Sequence, residues 1–160
     1  MRGIYFDEAM KCKIDLRAAL WSTDKLHEVY RATIGNELSD VDWIAETESD
    51  VFLIEYKNTS FAGKNGKNEF YTKMWKKYYG SAFFMFARKN TKAINFICII
   101  EPESMDSVQR RRATASIKKR LPYTLQESPL IFTPLINDFK IVTIEEWNSL
   151  YPYFPLVYLG

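Results

Sequence analysis

Asp42, Glu55 and Lys57 are the residues of this 160-residue chain whose types and spacing could do chemistry together. The run Val51-Phe52-Leu53-Ile54 is apolar at consecutive positions, as in a strand buried on both faces, and leads directly into Glu55-Tyr56-Lys57. Strand side chains alternate, so Glu55 and Lys57 share a face with Val51 and Leu53. If segments 41–47 and 50–57 form a hairpin turning at Glu48-Ser49, Asp42 falls directly opposite Glu55. Opposed β-carbons lie about 5 Å apart, and two carboxylates that close repel unless a divalent cation lies between them. Hard oxygen ligands with positions left for water and phosphate suit Mg²⁺ or Mn²⁺. On the same face, Lys57 could hold an attacking water or offset charge growing on phosphorus. Register is the sensitive step: Glu-Ser is a poor two-residue turn, and a slip of one residue removes Asp42 from that face. The competing reading is an exposed strand end with a surface ion pair worth about 0–1 kcal/mol.

The elements that would position these residues read as mixed α/β. Helices are expected over 7–20, with Asp7 as N-cap, and over 23–34, with Leu26, Val29, Tyr30, Thr33 and Ile34 on one face. After the 41–57 hairpin come a Gly- and Lys-rich loop, a basic aromatic helix over 68–79, strands over 82–87 and 93–100 with a polar turn between them, and a basic helix over 105–120. That last helix stops at Leu121-Pro122, because the residue before proline disfavours the α region. A strand over 139–143 and a short helix with capping-box spacing at Thr143-Ile144-Glu145-Glu146, ended by Pro152, complete the chain.

Asp42, twelve intervening residues, and Glu55-Tyr56-Lys57 behind an apolar run, with helix before and after, resemble the PD-(D/E)XK nuclease superfamily. The resemblance covers residues 20–100 as an order of elements, and its specific part is three residues. It implies a restriction-endonuclease-like mixed β-sheet flanked by α-helices in a single domain over 1–160, with the core at about 20–100 and a basic helix and C-terminal extension at 101–160. It further implies that Asp42 and Glu55 bind Mg²⁺ or Mn²⁺, that Lys57 assists phosphodiester hydrolysis in nucleic acid, DNA foremost, and that two copies can pair to cut two strands. Val41 stands where the family name has Pro, and no first strand is evident ahead of Val41 unless it lies near 2–6 or 35–39. Members often add an acid from the first helix; Glu28 is nearest, although on a helical wheel it opposes Leu26 and Tyr30.

Charge is divided along the chain: residues 1–56 carry a net −6, residues 57–120 a net +11 and residues 121–160 a net −3, within an overall +2. A basic block of this kind suits a polyanion, because neutralised phosphates release counterions. Lys64, Lys67, Lys73, Lys76, Lys77, Arg110, Arg111, Arg112, Lys118, Lys119 and Arg120 are the candidate nucleic-acid contacts, against the alternative of plain solvated helix faces. The aromatics among Lys73, Lys76 and Lys77 read as core rather than base-stacking platforms. His27, the only histidine, has no evident base or metal set around it, so His-based nucleophilic catalysis has little support. Cys12 and Cys98 are too few for a disulfide framework and read as reduced and buried. An acidic start and the lack of any long apolar run lead to the expectation of a cytoplasmic protein with no signal peptide and no membrane span. Beside the nuclease stands a second expectation, a non-catalytic nucleic-acid-binding or assembly module on the same fold.

Overall fold

Alternation and helical spacing are resolved into two sheets and four helices among the described residues of a computed structural model, which describes residues 2–58 and 66–160. In chain order these are β1 (Ile4–Phe6), β2 (Cys12–Asp15), β3 (Trp21–Thr23), α1 (Leu26–Thr33), β4 (Trp43–Glu46), β5 (Asp50–Lys57), α2 (Gly66–Ala87), β6 (Ala93–Ile100), α3 (Ser107–Lys118), β7 (Asp138–Thr143), α4 (Ile144–Leu150) and β8 (Leu156–Tyr158). The larger sheet runs β3-β4-β5-β6-β7, antiparallel at β3-β4 and β4-β5 and parallel from β5 to β7. Two long strands apolar on both faces, β5 and β6, form its centre, as burial from both sides requires. One face packs Val51, Leu53, Phe96 and Phe139 against α1, α2 and α3. The other packs Phe52, Ile54, Ile97 and Val142 against Trp147 of α4 and the small sheet β1-β2-β8.

The hairpin adopts the expected register, Trp43 opposite Ile54 and Ile44 opposite Leu53. Its turn is closed by Thr47 rather than by Glu-Ser chemistry: the Thr47 N–H donates to the Asp50 carbonyl, and the Thr47 hydroxyl accepts the Asp50 N–H at 3.0 Å. Thr143 caps α4 where the capping-box spacing places it, its hydroxyl accepting the Glu146 N–H, but the reciprocal half of the box does not form and the Glu146 carboxylate pairs with Arg110 instead.

Four expectations are corrected. Residues 7–20 are not a helix: the Asp7 carboxylate caps a turn, accepting the N–H groups of Ala9, Lys11 and Cys12, and Cys12, Ile14 and Leu16 then alternate into the core as a strand does. Residues 82–87 are not a strand but the last turns of α2, in which Tyr78, Ala82 and Met85 are buried at helical spacing while Phe83 is exposed. The edge strand beside β4 is neither 2–6 nor 35–39 but β3, which precedes α1. Helix α1 itself starts at Leu26, and Val29 and Ile34 are exposed, so its buried stripe is Leu26 and Tyr30 alone.

Candidate functional site

Where β4 and β5 separate beyond Trp43 and Ile54, side chains continue the ladder. The Asp42 N–H donates to Glu55 Oε2 at 3.2 Å, and the Tyr56 N–H donates to Asp42 Oδ2 at 2.8 Å. Asp42 and Glu55 therefore face each other across the strand ends, on the side of the sheet covered by α2. Glu55 is 1% exposed, an unusual place for a carboxylate unless it is paired. Two ammonium groups meet its Oε1: Lys57 Nζ at 3.3 Å from the same strand, and Lys77 Nζ at 2.9 Å from α2. Lys77 Nζ also donates to the Asp40 carbonyl at 3.0 Å, and the Asp40 carboxylate takes His27 Nδ1 at 3.0 Å.

The electrostatics follow from burial. Asp42 is pushed up to about 7, first by desolvation and then by the Glu55 charge, against the Tyr56 N–H and the two lysines. Burial works against the charge on Lys77, yet Glu55, Asp42 and Asp40 together raise its pKa. The Cys98 thiol, fully buried beneath the site, is pushed well above its ordinary range by desolvation and by Glu55. Asp42 Oδ1 carries no hydrogen bond among the described residues.

These groups line a cleft of about 760 Å³ walled by α1, α2, the ends of β4 and β5 and the segment between β1 and β2. Asp42, Glu55 and Lys57 lie in it together, and of the candidate nucleic-acid contacts Lys73 and Lys77 join them. The others lie elsewhere. Lys64 is outside the described residues; Lys67 and Lys76 are exposed on α2 away from the cleft lining. On α3, Arg110 is paired with Glu146 at 2.7 Å and Lys118 with Asp138 at 3.1 Å, while Arg111 and Arg112 are exposed. Lys119 is exposed, and the Arg120 guanidinium covers the Trp75 ring at 4.7 Å. Glu28 lines the cleft but is paired with Lys25 at 3.2 Å. Of the helix aromatics, Phe70, Tyr71 and Tyr78 are core and Tyr79 is exposed. Both cysteines are buried and free.

The contacts of Lys77 with Glu55 and with the Asp40 carbonyl have no sequence signal, because they depend on where α2 packs against the α1–β4 connection, a junction made by pairs 37 and 50 residues apart; the His27–Asp40 pair, 13 residues apart, likewise depends on how that connection returns toward α1. Among the described residues no group of three or more His, Cys, Asp or Glu side chains is arranged to hold a metal ion, and no helix is long and apolar enough to cross a membrane. Glu55 accepts the Asp42 N–H on one oxygen and contacts Lys57 and Lys77 with the other, which leaves Asp42 Oδ1 as the oxygen of the opposed pair that could meet a cation. Compared with protein families, with curated proteins and with solved structures, the chain finds no match.

Proposed function

We propose that the chain is a metal-dependent nuclease of restriction-endonuclease-like fold, hydrolysing phosphodiester bonds in nucleic acid, with DNA as the expected substrate. The observation that carries this proposal is the opposition of Asp42 and Glu55 with Lys57 at 3.3 Å from the shared carboxylate, at the mouth of a cleft and not at a solvated strand end. The sheet supports it: an antiparallel β3-β4-β5 run, a helix, then β6 parallel to β5, resembling the core of the PD-(D/E)XK superfamily except that the edge strand precedes the first helix.

Asp42 and Glu55 would hold Mg²⁺ or Mn²⁺, which when bound acidifies a coordinated water and polarises the scissile phosphate. Asp42 would present its free oxygen, and Glu55 would present Oε1 once the ammonium groups of Lys57 and Lys77 move off it. Lys57, a quarter exposed, can turn from Glu55 toward solvent in the cleft, where its ammonium would orient the attacking water or offset charge on the phosphate oxygens. The Lys57→Ala variant should fold and lose cleavage of plasmid, duplex or single-stranded DNA in Mg²⁺ or Mn²⁺. Unchanged cleavage in that variant would overturn the assignment.

One observation favours a second reading, a non-catalytic nucleic-acid-binding or assembly module. Both Glu55 oxygens are already satisfied within the protein, by the Asp42 N–H and by Lys57 and Lys77, as in a site kept for structure and not for turnover. Salt-sensitive DNA binding by well-folded protein that cuts nothing with either metal would select that module.

A further inference from the structure

We infer that the segment over 125–136 is a self-association surface on which a second copy of this chain docks, Phe132 of each copy entering the groove beside Phe132 of the other. The segment lies between α3 and β7 and is ordered by its own hydrogen bonds. Gln126 Oε1 accepts the N–H groups of Leu135 and Ile136, and the Ser128 hydroxyl accepts the Leu130 N–H. From this braced turn Phe132 projects 94% exposed and Leu130 82% exposed, with Leu125 at 54%. Beside Phe132 lies a groove of about 290 Å³, with Ala93, Ile131, Pro134 and Ile136 in its lining. A cavity of roughly 150 Å³ takes a benzene ring, so the groove has room for a phenylalanine side chain. A knob already held in place costs little to order on binding.

Shape, charge and area select a second copy as the occupant. Knob and groove adjoin on one patch, which makes the patch self-complementary: about a two-fold axis each Phe132 fills the partner's groove, and the contact closes at two copies instead of propagating. Glu127 is the only charged residue between Leu121 and Asn137, in a chain whose 57–120 block carries a net +11. Without Lys or Arg the patch offers nothing to a phosphate or an anionic lipid, whereas two copies meet there with little charge to repel or desolvate. At about 200 Å² for a whole Phe and somewhat less for Leu, the exposed parts of Phe132, Leu130 and Leu125 come to on the order of 400 Å². A pair would cover about 800 Å² of these three side chains alone, against the roughly 1,200 Å² of total surface at which standard interfaces begin, so groove lining and rim need supply only the remaining third. That area suits a reversible dimer in the micromolar range and not an obligate one. The surface is also remote from the cleft. Ala93 pairs with Asp50 and Ile100 with Lys57 on neighbouring parallel strands, so groove and cleft lie at opposite ends of β5 and β6, about 23 Å apart along the strands. Pairing here leaves both clefts open, and the inference goes beyond the nuclease reading and survives its failure.

The test is sedimentation velocity on the full-length chain from about 1 to about 500 µM, a span that captures micromolar association, for wild type, Phe132→Ala, Phe132→Glu and Thr133→Arg, with circular dichroism to verify folding. Phe132 is almost wholly exposed, so neither of its substitutions should unfold the chain, while Thr133→Arg keeps the knob and fills the groove. The wild type should pass from monomer to dimer as concentration rises and stop there. Phe132→Ala should weaken the dimer by about tenfold or more, and Phe132→Glu and Thr133→Arg should stay monomeric. A wild type that is monomeric at the highest concentration, association that continues past the dimer, or a dimer that Phe132→Glu or a folded Thr133→Arg leaves intact would each overturn the inference. Flotation of a monomeric wild type on uncharged phosphatidylcholine vesicles, lost in Phe132→Glu, would overturn it too and assign the patch to a lipid surface.

Discussion

Asp42→Asn should stabilise the metal-free protein above neutral pH while destroying its site. The folded protein holds the Asp42 proton up to about pH 7, whereas an unfolded chain releases it near the ordinary 3.8. A difference of about three pH units at about 1.4 kcal/mol each gives about 4 kcal/mol as a ceiling, which relaxation of the strand ends would reduce to roughly 1–3. The sign follows from the protons bound. Between about pH 4 and pH 7 the native state keeps a proton the unfolded chain has lost, so this group makes stability fall as pH rises through that window. Below it both states are protonated and there is no penalty; above it the full penalty applies. Asparagine removes the charge but keeps a carbonyl oxygen for the Tyr56 N–H, so the cross-strand contact at 2.8 Å survives.

Urea denaturation in a chelator, followed by circular dichroism from about pH 5 to about pH 8.5, reads this directly. The two proteins should diverge as pH rises, with the variant ahead by at least about 1 kcal/mol at the alkaline end, or roughly 2–4 °C in Tm per kcal/mol for a chain of this size. Adding Mg²⁺ or Mn²⁺ should then raise the wild type toward the variant and leave the variant unmoved, because only the wild type keeps both carboxylates. An Asp42→Asn protein that is equally or less stable at alkaline pH, or a gap that does not change with pH, would refute the electrostatic account of the site.

Gly80→Ala should cost about 3 kcal/mol or more, since an added Cβ would lie 1.8 Å from the Ser39 carbonyl oxygen, backbone that cannot rotate aside; an unchanged thermal midpoint would contradict this. Arg111→Ala with Arg112→Ala should leave stability within about 0.5 kcal/mol, both side chains being exposed, and lower the salt dependence of duplex binding by nearly two charges if α3 touches phosphate; an unaltered slope removes α3 from the interface.

The central strands were legible because their physical cause is local. Runs apolar on both faces, Val51–Ile54 within β5 and nearly all of β6, can be satisfied only between two layers, and the hairpin register followed from centring the turn on Glu48-Ser49. The first twenty residues were not legible, for the opposite reason. Cys12 and Leu16 are four residues apart and Asp7 precedes them as a cap would, so a short alternating strand imitates a helix turn. What decides between them is the small sheet, in which β2 pairs with β1 on one side and on the other with β8, from the far end of the chain. Strand β3, three residues long, carries too few positions to show any period, and it takes its identity from β4 alone.

The misread segment 82–87 and the unforeseen role of Lys77 have a single cause. Continuation of α2 through Gly80-Ser81-Ala82 places three small residues against the chain that enters β4. Gly80 lets the Ser39 carbonyl approach, the Ser81 hydroxyl accepts the Val41 N–H at 2.9 Å, and the Tyr30 hydroxyl donates to the Gly80 carbonyl from α1. Residues 39–41 are thereby clamped to the helix immediately before Asp42. One turn toward the N-terminus of α2 from that clamp is position 77, which must then lie beside the Asp40 carbonyl and the end of β5, within reach of Glu55. A strand over 82–87 would have ended the helix before the clamp and left Lys77 with nothing to fix it. The same close packing that requires glycine at position 80 therefore sets the geometry of the charged cluster, and a substitution there should disturb Asp42 and Lys77 together rather than stability alone.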